Sequence, residues 1–149
     1  MIRIIKIVIL PALLAFCFAG AYAQSKPPVR KRPAGSALGA SMTRGKIVYG
    51  KVCIACHMAD GNGVPNMNPP LVKTSYVLGD KKKLIGIVLH GFNEDVEING
   101  QTFSNSMTPH AELSDQQIAD VLTYVRNNFG NKASRVTPAE VKKVRASGK

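Results

Sequence analysis

Two cysteines and a histidine near the middle of the chain are spaced so that they can act on one ligand. They form the run Cys53-Ile54-Ala55-Cys56-His57. On one helical turn, residues i, i+3 and i+4 lie on the same face, so both thiols and the imidazole can meet a single planar group. The thiols can form thioethers with two vinyl groups, and the imidazole can bind a metal ion beneath the plane. The spacing therefore predicts covalent haem attachment through Cys53 and Cys56, with His57 as a ligand of the iron.

A redox-active disulfide and a zinc site are the alternatives for this cysteine pair. A thioredoxin-like pair belongs near the start of a helix in a βαβ unit, whereas here the pair ends a predicted helix and no parallel-sheet pattern follows. A zinc site usually has four ligands, often including a second Cys or His pair. The remaining histidines, His90 and His110, lie far apart in the sequence. Haem attachment is favoured over both.

A fast electron-carrying iron needs a second axial ligand opposite the motif histidine, and the sequence offers five candidates. These are Met58, Met67, Met107, His90 and His110. Met58 adjoins the motif, Met67 belongs to the loop that follows it, and His90 ends a predicted helix. Met107 lies in the irregular stretch SNSMTPH, from which a loop can return over the ring. Met107 is the predicted ligand and would raise the reduction potential; a core-filling role for Met107, or ligation by His110, stays open.

The first elements that must hold these residues are a helix and a long loop. The segment SMTRGKIVYGKVCIACH predicts a helix that begins at an N-cap, Ser41, and ends at the cysteines. Its apolar residues are Ile47, Val48, Val52 and Ile54. Gly45 and Gly50 each weaken a helix by about 1 kcal/mol, so another element is expected to approach closely there. Residues 58–79 are punctuated by Pro and Gly and predict a long loop, which in a small domain is usually functional.

A helix and a hairpin are predicted next. Asp80 can cap a helix running through KKKLIGIVLH, and Gly91 can end it. The sequence VEINGQTF predicts a short β-hairpin that turns at Asn99-Gly100.

The strongest helix signal follows the hairpin. Ser114 and Gln117 form a capping box, and Gly130 is the expected stop. The apolar stripe consists of Ile118, Val121, Leu122 and Val125. Thr137-Pro138-Ala139-Glu140 then opens a short last helix, with Pro at its first position.

The two ends of the chain predict export and flexibility. Arg3 and Lys6 precede an apolar run, and Ala21-Tyr22-Ala23 fits a signal-peptide cleavage site, so residues 1–23 are expected to be a signal peptide. The run is shorter than the roughly 20 apolar residues of a membrane span; retention as an N-terminal membrane anchor is the alternative. Residues 24–40 predict a flexible basic linker. The domain is expected over residues 41–130, followed by a C-terminal tail with a short helix over residues 131–149.

Charge and composition narrow the class of protein. The formal charge is +11, and loss of the signal would leave a basic protein in the periplasm or outside the cell, with no stable membrane insertion. The basic residues lack interleaved aromatics, which argues against nucleic acid as a partner. The lysines at positions 46, 51, 73 and 81–83 are either solvated or steer the protein towards redox partners with acidic docking surfaces. The domain has no Trp and a thin core, which a large apolar cofactor would complete.

The segment from Gly45 to Gly130 resembles a class I bacterial c-type cytochrome. The resemblance rests on Gly45-x-x-x-Tyr49, Asn68-Pro69-Pro70-Leu71, Met107 near a proline, and LSDQQIADVLTYVRNNFGN. It is similar to the small haem domains that accompany nitrite reductases and periplasmic dehydrogenases. One departure is that Thr108 intervenes where the family commonly has Met-Pro.

The resemblance implies an all-α fold, with about four helices around one covalent haem c and a short β-hairpin near Asn99-Gly100. It places Pro70 and Leu71 against the haem, with the Pro70 carbonyl accepting a hydrogen bond from the His57 ring. It also implies that Gly45 and Tyr49 pack across the last long helix, near Tyr124. The expected function is a monohaem carrier of single electrons between redox proteins rather than an enzyme. A haem c subunit of a stable oxidoreductase complex is the alternative, followed by a haem peroxidase or gas sensor with an open distal site.

Overall fold

The close crossing of two helices organises the computed structural model, which describes residues 34–148. Helix α1 spans Ala34–Val48 and helix α5 spans Asp115–Arg126. They cross at Gly45, where an added Cβ would lie 2.1 Å from the Asp120 carbonyl oxygen and 2.7 Å from the Tyr124 Cβ. The glycine therefore permits backbone contact that any side chain would block. This confirms the packing that the resemblance implied.

Helix α1 begins well before the predicted N-cap. Its first residue is Ala34, so Ser41 lies inside the helix, and residues 34–40 are helical rather than linker. The predicted start was wrong because Ser41 serves a tertiary contact: its hydroxyl donates to Asp120 Oδ1 at 2.5 Å. Arg44 adds a second contact, with Nε donating to Asp120 Oδ2 at 2.6 Å. The predicted signal peptide and residues 24–33 lie outside the described residues.

A π-helical turn, Tyr49–Cys53, separates α1 from the short helix α2, Ile54–His57. A wider turn shifts the side chains that follow it around the helix axis. Val48, before the turn, is buried, and Val52, within it, packs against the core. Ile47 and Ile54 are 57% and 38% exposed. Of the four apolar residues named for this helix, two therefore contribute to the core and two do not.

The predicted loop over residues 58–79 is largely irregular, and it contains one short helix, α3, Ser75–Leu78. Helix α4, Lys81–His90, follows and begins as predicted. The Asp80 carboxylate accepts hydrogen bonds from the backbone N–H groups of Lys82 and Lys83. Gly91 ends the helix with φ +77°, and a Cβ there would lie 2.5 Å from the Met107 carbonyl oxygen. The glycine is needed both for its backbone angle and for this close approach.

The predicted hairpin is confirmed. Strands β1, Val96–Ile98, and β2, Gln101–Phe103, pair antiparallel, with Val96 opposite Phe103. Asn99 and Gly100 both have positive φ angles, of 56° and 78°, as a type I′ turn requires.

Helix α5 begins at the predicted Ser114–Gln117 capping box, and its apolar stripe is buried. It ends at Arg126, earlier than the predicted stop. Gly130, at φ +74°, instead belongs to the turn after the helix.

The segment after residue 130 is part of the same core and not a tail. Helix α6, Pro138–Ser147, begins where predicted, and Thr137 and Glu140 form a capping box at its start. Val136, Val141 and Val144 are buried. The Thr123 hydroxyl donates to the Val136 carbonyl at 3.1 Å and accepts from its N–H at 3.0 Å. The segment predicted as a C-terminal tail therefore packs onto the core through its helix. Within residues 34–148, no helix has the length and apolar character needed to cross a membrane.

Candidate haem site

A cavity with mostly apolar walls lies between α4, α5, the hairpin and the irregular segments. Cys53, Cys56 and His57 line one part of it, and Met107 lines another. The apolar lining includes Leu71, Val77, Leu84, Val88, Phe92 and Leu122. The motif thus faces a hollow with mostly apolar walls, as attachment of a large flat cofactor requires.

His57 is held in one tautomer. Its Nδ1 lies 3.0 Å from the Pro69 carbonyl oxygen, and because a carbonyl can only accept, Nδ1 carries the proton. Burial lowers the pKa of His57, although the bond to Pro69 works in the opposite direction. The imidazole is therefore neutral at physiological pH and keeps the Nε2 lone pair for a metal ion.

The hydrogen-bond acceptor is Pro69 and not Pro70, which corrects the expectation drawn from the resemblance. The loop closes tightly at Gly63, where a Cβ would lie 2.7 Å from the Pro69 carbonyl oxygen. The Gly63 N–H also donates to the His57 carbonyl at 3.2 Å. This closure sets Pro69 against the ring. Pro70 and Leu71 remain in the cavity wall.

Cys53 and Cys56 form no disulfide with each other. Cys53 is partly buried and Cys56 is exposed. Burial, reinforced by the neighbouring Cys56, raises the pKa of the Cys53 thiol to about 11. Thioredoxin-like chemistry needs a thiol whose pKa is lowered, so the environment does not favour a redox-active disulfide.

Met107 is fixed by backbone pairing with the end of α4. The Phe92 N–H donates to the Met107 carbonyl at 3.0 Å, and the Met107 N–H donates to the Phe92 carbonyl at 2.7 Å. The segment that holds Met107 is also tied to the loop after the motif, since the Asn105 N–H donates to the Met67 carbonyl at 3.1 Å. Met107 is therefore presented to the cavity by two short, rigid connections.

The other ligand candidates differ in whether their side chains line the cavity. Met67 is 49% exposed and lies outside the cavity wall, His90 is exposed, and Met58 neighbours the motif. His110 does line the cavity, and its Nδ1 lies 3.1 Å from Glu112 Oε1. Two of the five candidates, Met107 and His110, thus reach the cavity.

Asn131 supports the site and was missed by sequence reasoning. Its Oδ1 accepts from the Lys73 N–H at 2.7 Å, and its Nδ2 donates to the carbonyls of Leu71 and Val125 at 2.9 and 2.8 Å. One buried amide therefore ties the Pro69–Leu71 part of the loop to α5. A polar residue just after the glycine of a turn gives no sequence signal for this role.

An aromatic cluster lies behind the motif. The Tyr49 ring centroid is 5.5 Å from that of Tyr124 and 5.3 Å from that of Phe129. The Tyr49 hydroxyl donates to the Met58 carbonyl at 2.6 Å, and burial raises the Tyr49 pKa. This bond fixes the chain where it leaves His57.

Two of the three adjacent lysines in α4 contact side chains of other elements. Lys81 forms an ion pair with Glu140. The Lys83 Nζ lies 4.5 Å from the centroid of the Tyr76 ring, and Tyr76 lines the cavity. The lysine run is therefore not a set of free charges.

The fold and the site together define a small, mostly helical protein built around a covalently attached haem. The chain belongs to the cytochrome c family: the family model described as Cytochrome c matches residues 42–129. Covalently bound haem c, with its iron, is accordingly its cofactor, and electron transfer is its role. The donor set fits that group, since two thiols, a neutral imidazole and a thioether line one apolar cavity.

The relatives are of two kinds. Cytochrome c-552 of Thermus thermophilus is 34% identical over 104 residues, which cover 63% of this chain and 79% of the relative. The cytochrome c subunit of alcohol dehydrogenase (quinone) from Gluconacetobacter polyoxogenes is 36% identical over 114 residues, or 70% of this chain. The fructose dehydrogenase cytochrome subunit of Gluconobacter japonicus is 32% identical over 112 residues. The match spans only 23% of each of these two subunits.

Proposed function

We propose that this chain is an exported monohaem electron carrier in which Cys53 and Cys56 attach the haem and His57 and Met107 supply its axial ligands. The observation that supports this most is that His57 and Met107 line the same apolar cavity. Bound haem supplies an iron that alternates between Fe(II) and Fe(III), one electron at a time. With both axial positions filled by the protein, no position is left for a substrate, which favours a carrier over an enzyme.

The residues around the cavity serve this role by holding the ligands still. Pro69 fixes the proton of His57 on Nδ1, and the pairing with Phe92 fixes the backbone of Met107. A thioether ligand stabilises the reduced iron, so Met107 would give a higher reduction potential than His110.

Replacement of Met107 tests the ligand assignment. Met107→Ala should abolish the weak sulfur-to-iron charge-transfer band of the oxidised protein and allow carbon monoxide to bind the reduced protein. Met67→Ala is the matched control, because Met67 is a methionine on a neighbouring loop outside the cavity wall, and it should keep the band. Loss of the band in Met67→Ala with retention in Met107→Ala would reverse the assignment. A wild-type spectrum of a bis-histidine type would point to His110.

The same site fits either a separate carrier or a haem subunit. The Thermus relative, of which this chain matches 79%, favours a separate carrier. The likeness to the two dehydrogenase subunits supports the alternative, in which the domain passes electrons inside an oxidoreductase complex. Native mass measurement of the protein from its own host decides this: a single chain with one haem supports the carrier, and a fixed complex supports the subunit.

Export is proposed from residues 1–23, whose basic start, apolar run and Ala21-Tyr22-Ala23 fit a cleaved signal. The mature protein would then lie in the periplasm or outside the cell. The intact mass of the mature protein should correspond to a chain that begins at Gln24 and carries one haem. A mass that retains residues 1–23 would support an N-terminal anchor instead.

Docking to acidic redox partners is proposed from the basic surface. Positive charge raises the rate of encounter with an anionic partner, and salt screens this effect over about 8 Å. Replacing Lys81, Lys82 and Lys83 by Gln should slow oxidation by hexacyanoferrate and flatten its salt dependence. Replacing Lys132, Lys142 and Lys143 changes the net charge equally and is the matched control. If both triple variants behave alike, the α4 lysines have no special part in docking.

A further inference from the structure

Residues 104–110, which include Met107, are called the Met107 loop here. Arg145 reaches from α6 to the segment that joins this loop to α5. Its Nε donates to Asp115 Oδ1 at 2.8 Å, one terminal nitrogen donates to the Ala111 carbonyl at 2.9 Å, and the other donates to the Leu113 carbonyl at 2.7 Å. All three nitrogens of one guanidinium group thus donate to partners within residues 111–115. The planar group presents its N–H donors in a fixed fork, so these bonds set the direction of the backbone that they hold.

That segment leads directly to the proposed ligand. Leu113 is buried and lines the cavity. The Leu113 N–H donates to the His110 carbonyl at 3.2 Å, and the His110 N–H donates to the Val88 carbonyl at 2.8 Å. The Met107 loop is therefore bonded to Phe92 and to Val88 of α4, and Arg145 holds the segment that follows the loop.

Helix α6 does not depend on Arg145 for its place in the fold. Val141 and Val144 are buried in the core, and the capping box at Thr137 starts the helix. The Lys81–Glu140 ion pair adds a further attachment to α4. Arg145 also lies beyond the segment that the family model matches, residues 42–129. The three hydrogen bonds of Arg145 thus fix the segment before α5 more than they fix the position of α6.

We propose that Arg145 is a positioning residue for the Met107 loop, so that the C-terminal helix holds the distal side of the haem site closed. The inference rests on the proposed ligation by Met107. Without Arg145 the pairing of Phe92 with Met107 remains, so the loop keeps its fold but opens more often. Each opening exposes the distal side of the site to a small ligand.

The test compares variants of the full-length haem-loaded protein. Arg145→Met keeps most of the aliphatic stem and removes all three donors, and carbon monoxide should bind its reduced form about tenfold faster than wild type, equivalent to about 1.4 kcal/mol. The charge-transfer band of its oxidised form should disappear on warming before the fold is lost. Asp115→Asn retains both carbonyl bonds and should resemble wild type. Arg145→Lys, which keeps the charge but not the fork, should give an intermediate rate and serves if Arg145→Met does not fold.

Thr123→Val is the control for a general loss of stability. It removes the two bonds to Val136 without touching the Met107 loop, and it should leave the carbon monoxide rate unchanged at temperatures well below its own unfolding. If Arg145→Met and Thr123→Val bind carbon monoxide equally, Arg145 only stabilises the fold and the inference is refuted. If the wild-type protein itself lacks the band, the ligation by Met107 fails, and the inference fails with it.

Discussion

Gly45→Ala should destabilise the protein strongly because of one added methyl group. The new Cβ would lie 2.1 Å from the Asp120 carbonyl oxygen and 2.6 Å from its carbonyl carbon. Carbon atoms pack best at about 3.5–4.0 Å, and the neighbour here is helix backbone, which cannot rotate away. The crossing helices α1 and α5 would have to separate by about 1 Å.

The size of the effect follows from two opposing contributions. Overpacking of this kind costs up to about 3 kcal/mol, while replacing Gly by Ala within a helix gains about 1 kcal/mol. The expected net loss in the free energy of unfolding is about 2 kcal/mol. Gly39→Ala is the matched control in the same helix, since a Cβ at Gly39 meets nothing within 4 Å. That variant should gain up to about 1 kcal/mol.

This difference can be measured by denaturant unfolding of the two haem-loaded variants. The far-ultraviolet circular dichroism of the helices reports the unfolding. The expected gap between them is about 3 kcal/mol. In thermal unfolding, the same gap corresponds to roughly 12 °C in the midpoint temperature, at about 4 °C per kcal/mol. If Gly45→Ala and Gly39→Ala unfold within about 0.5 kcal/mol of each other, the close crossing at Gly45 is refuted.

Two further predictions concern acid stability and haem attachment. Burial tends to raise the pKa of Asp120, but hydrogen bonds from Arg44 and Ser41 outweigh it and leave that pKa below its ordinary value of 3.8. Its stabilisation, about 2 kcal/mol, is therefore present above about pH 4 and lost as the pH falls through the folded-state pKa. The stability gap between wild type and Asp120→Asn should shrink below pH 4, and a gap that stays constant down to pH 2 would contradict the argument. Cys53→Ala combined with Cys56→Ala should release haem into acidified organic solvent and leave an unstable chain, whereas wild type retains its haem. Haem that stays with the denatured double variant would show attachment elsewhere.

The features predicted well from the sequence are those whose causes lie within a few residues. Backbone groups of immediate neighbours determine the Asp80 cap, the Asn99-Gly100 turn, the capping box at Ser114 and the helix start at Thr137. The haem motif belongs to the same kind, because its three functional side chains share a short helical stretch. Local rules therefore suffice for these elements.

The features that were missed depend on residues far apart in the sequence. Ser41 resembles a cap, but its hydroxyl binds Asp120 across the helix crossing, so α1 continues back to Ala34. The choice of Pro69 over Pro70 depends on how the loop closes at Gly63, which the two adjacent prolines do not reveal.

The role of the C-terminal segment was missed for the same reason. Its attachment depends on a buried threonine, Thr123, and on Arg145, whose partners lie around residues 111–115. Spacing within the segment shows only a short helix rich in lysine. Its place in the core follows from contacts that exist only in the folded chain.

Exposure of the reduced wild-type protein to carbon monoxide tests the central claim most directly. In the proposed arrangement a protein ligand lies on each side of the haem iron, with Met107 on the distal side. The visible spectrum should therefore show no rapid change when carbon monoxide is added at neutral pH, because Met107 must first leave the iron. Rapid and complete formation of a carbon monoxide adduct would show an open distal position, and the protein would then have to be a ligand-binding or catalytic haem protein instead of an electron carrier.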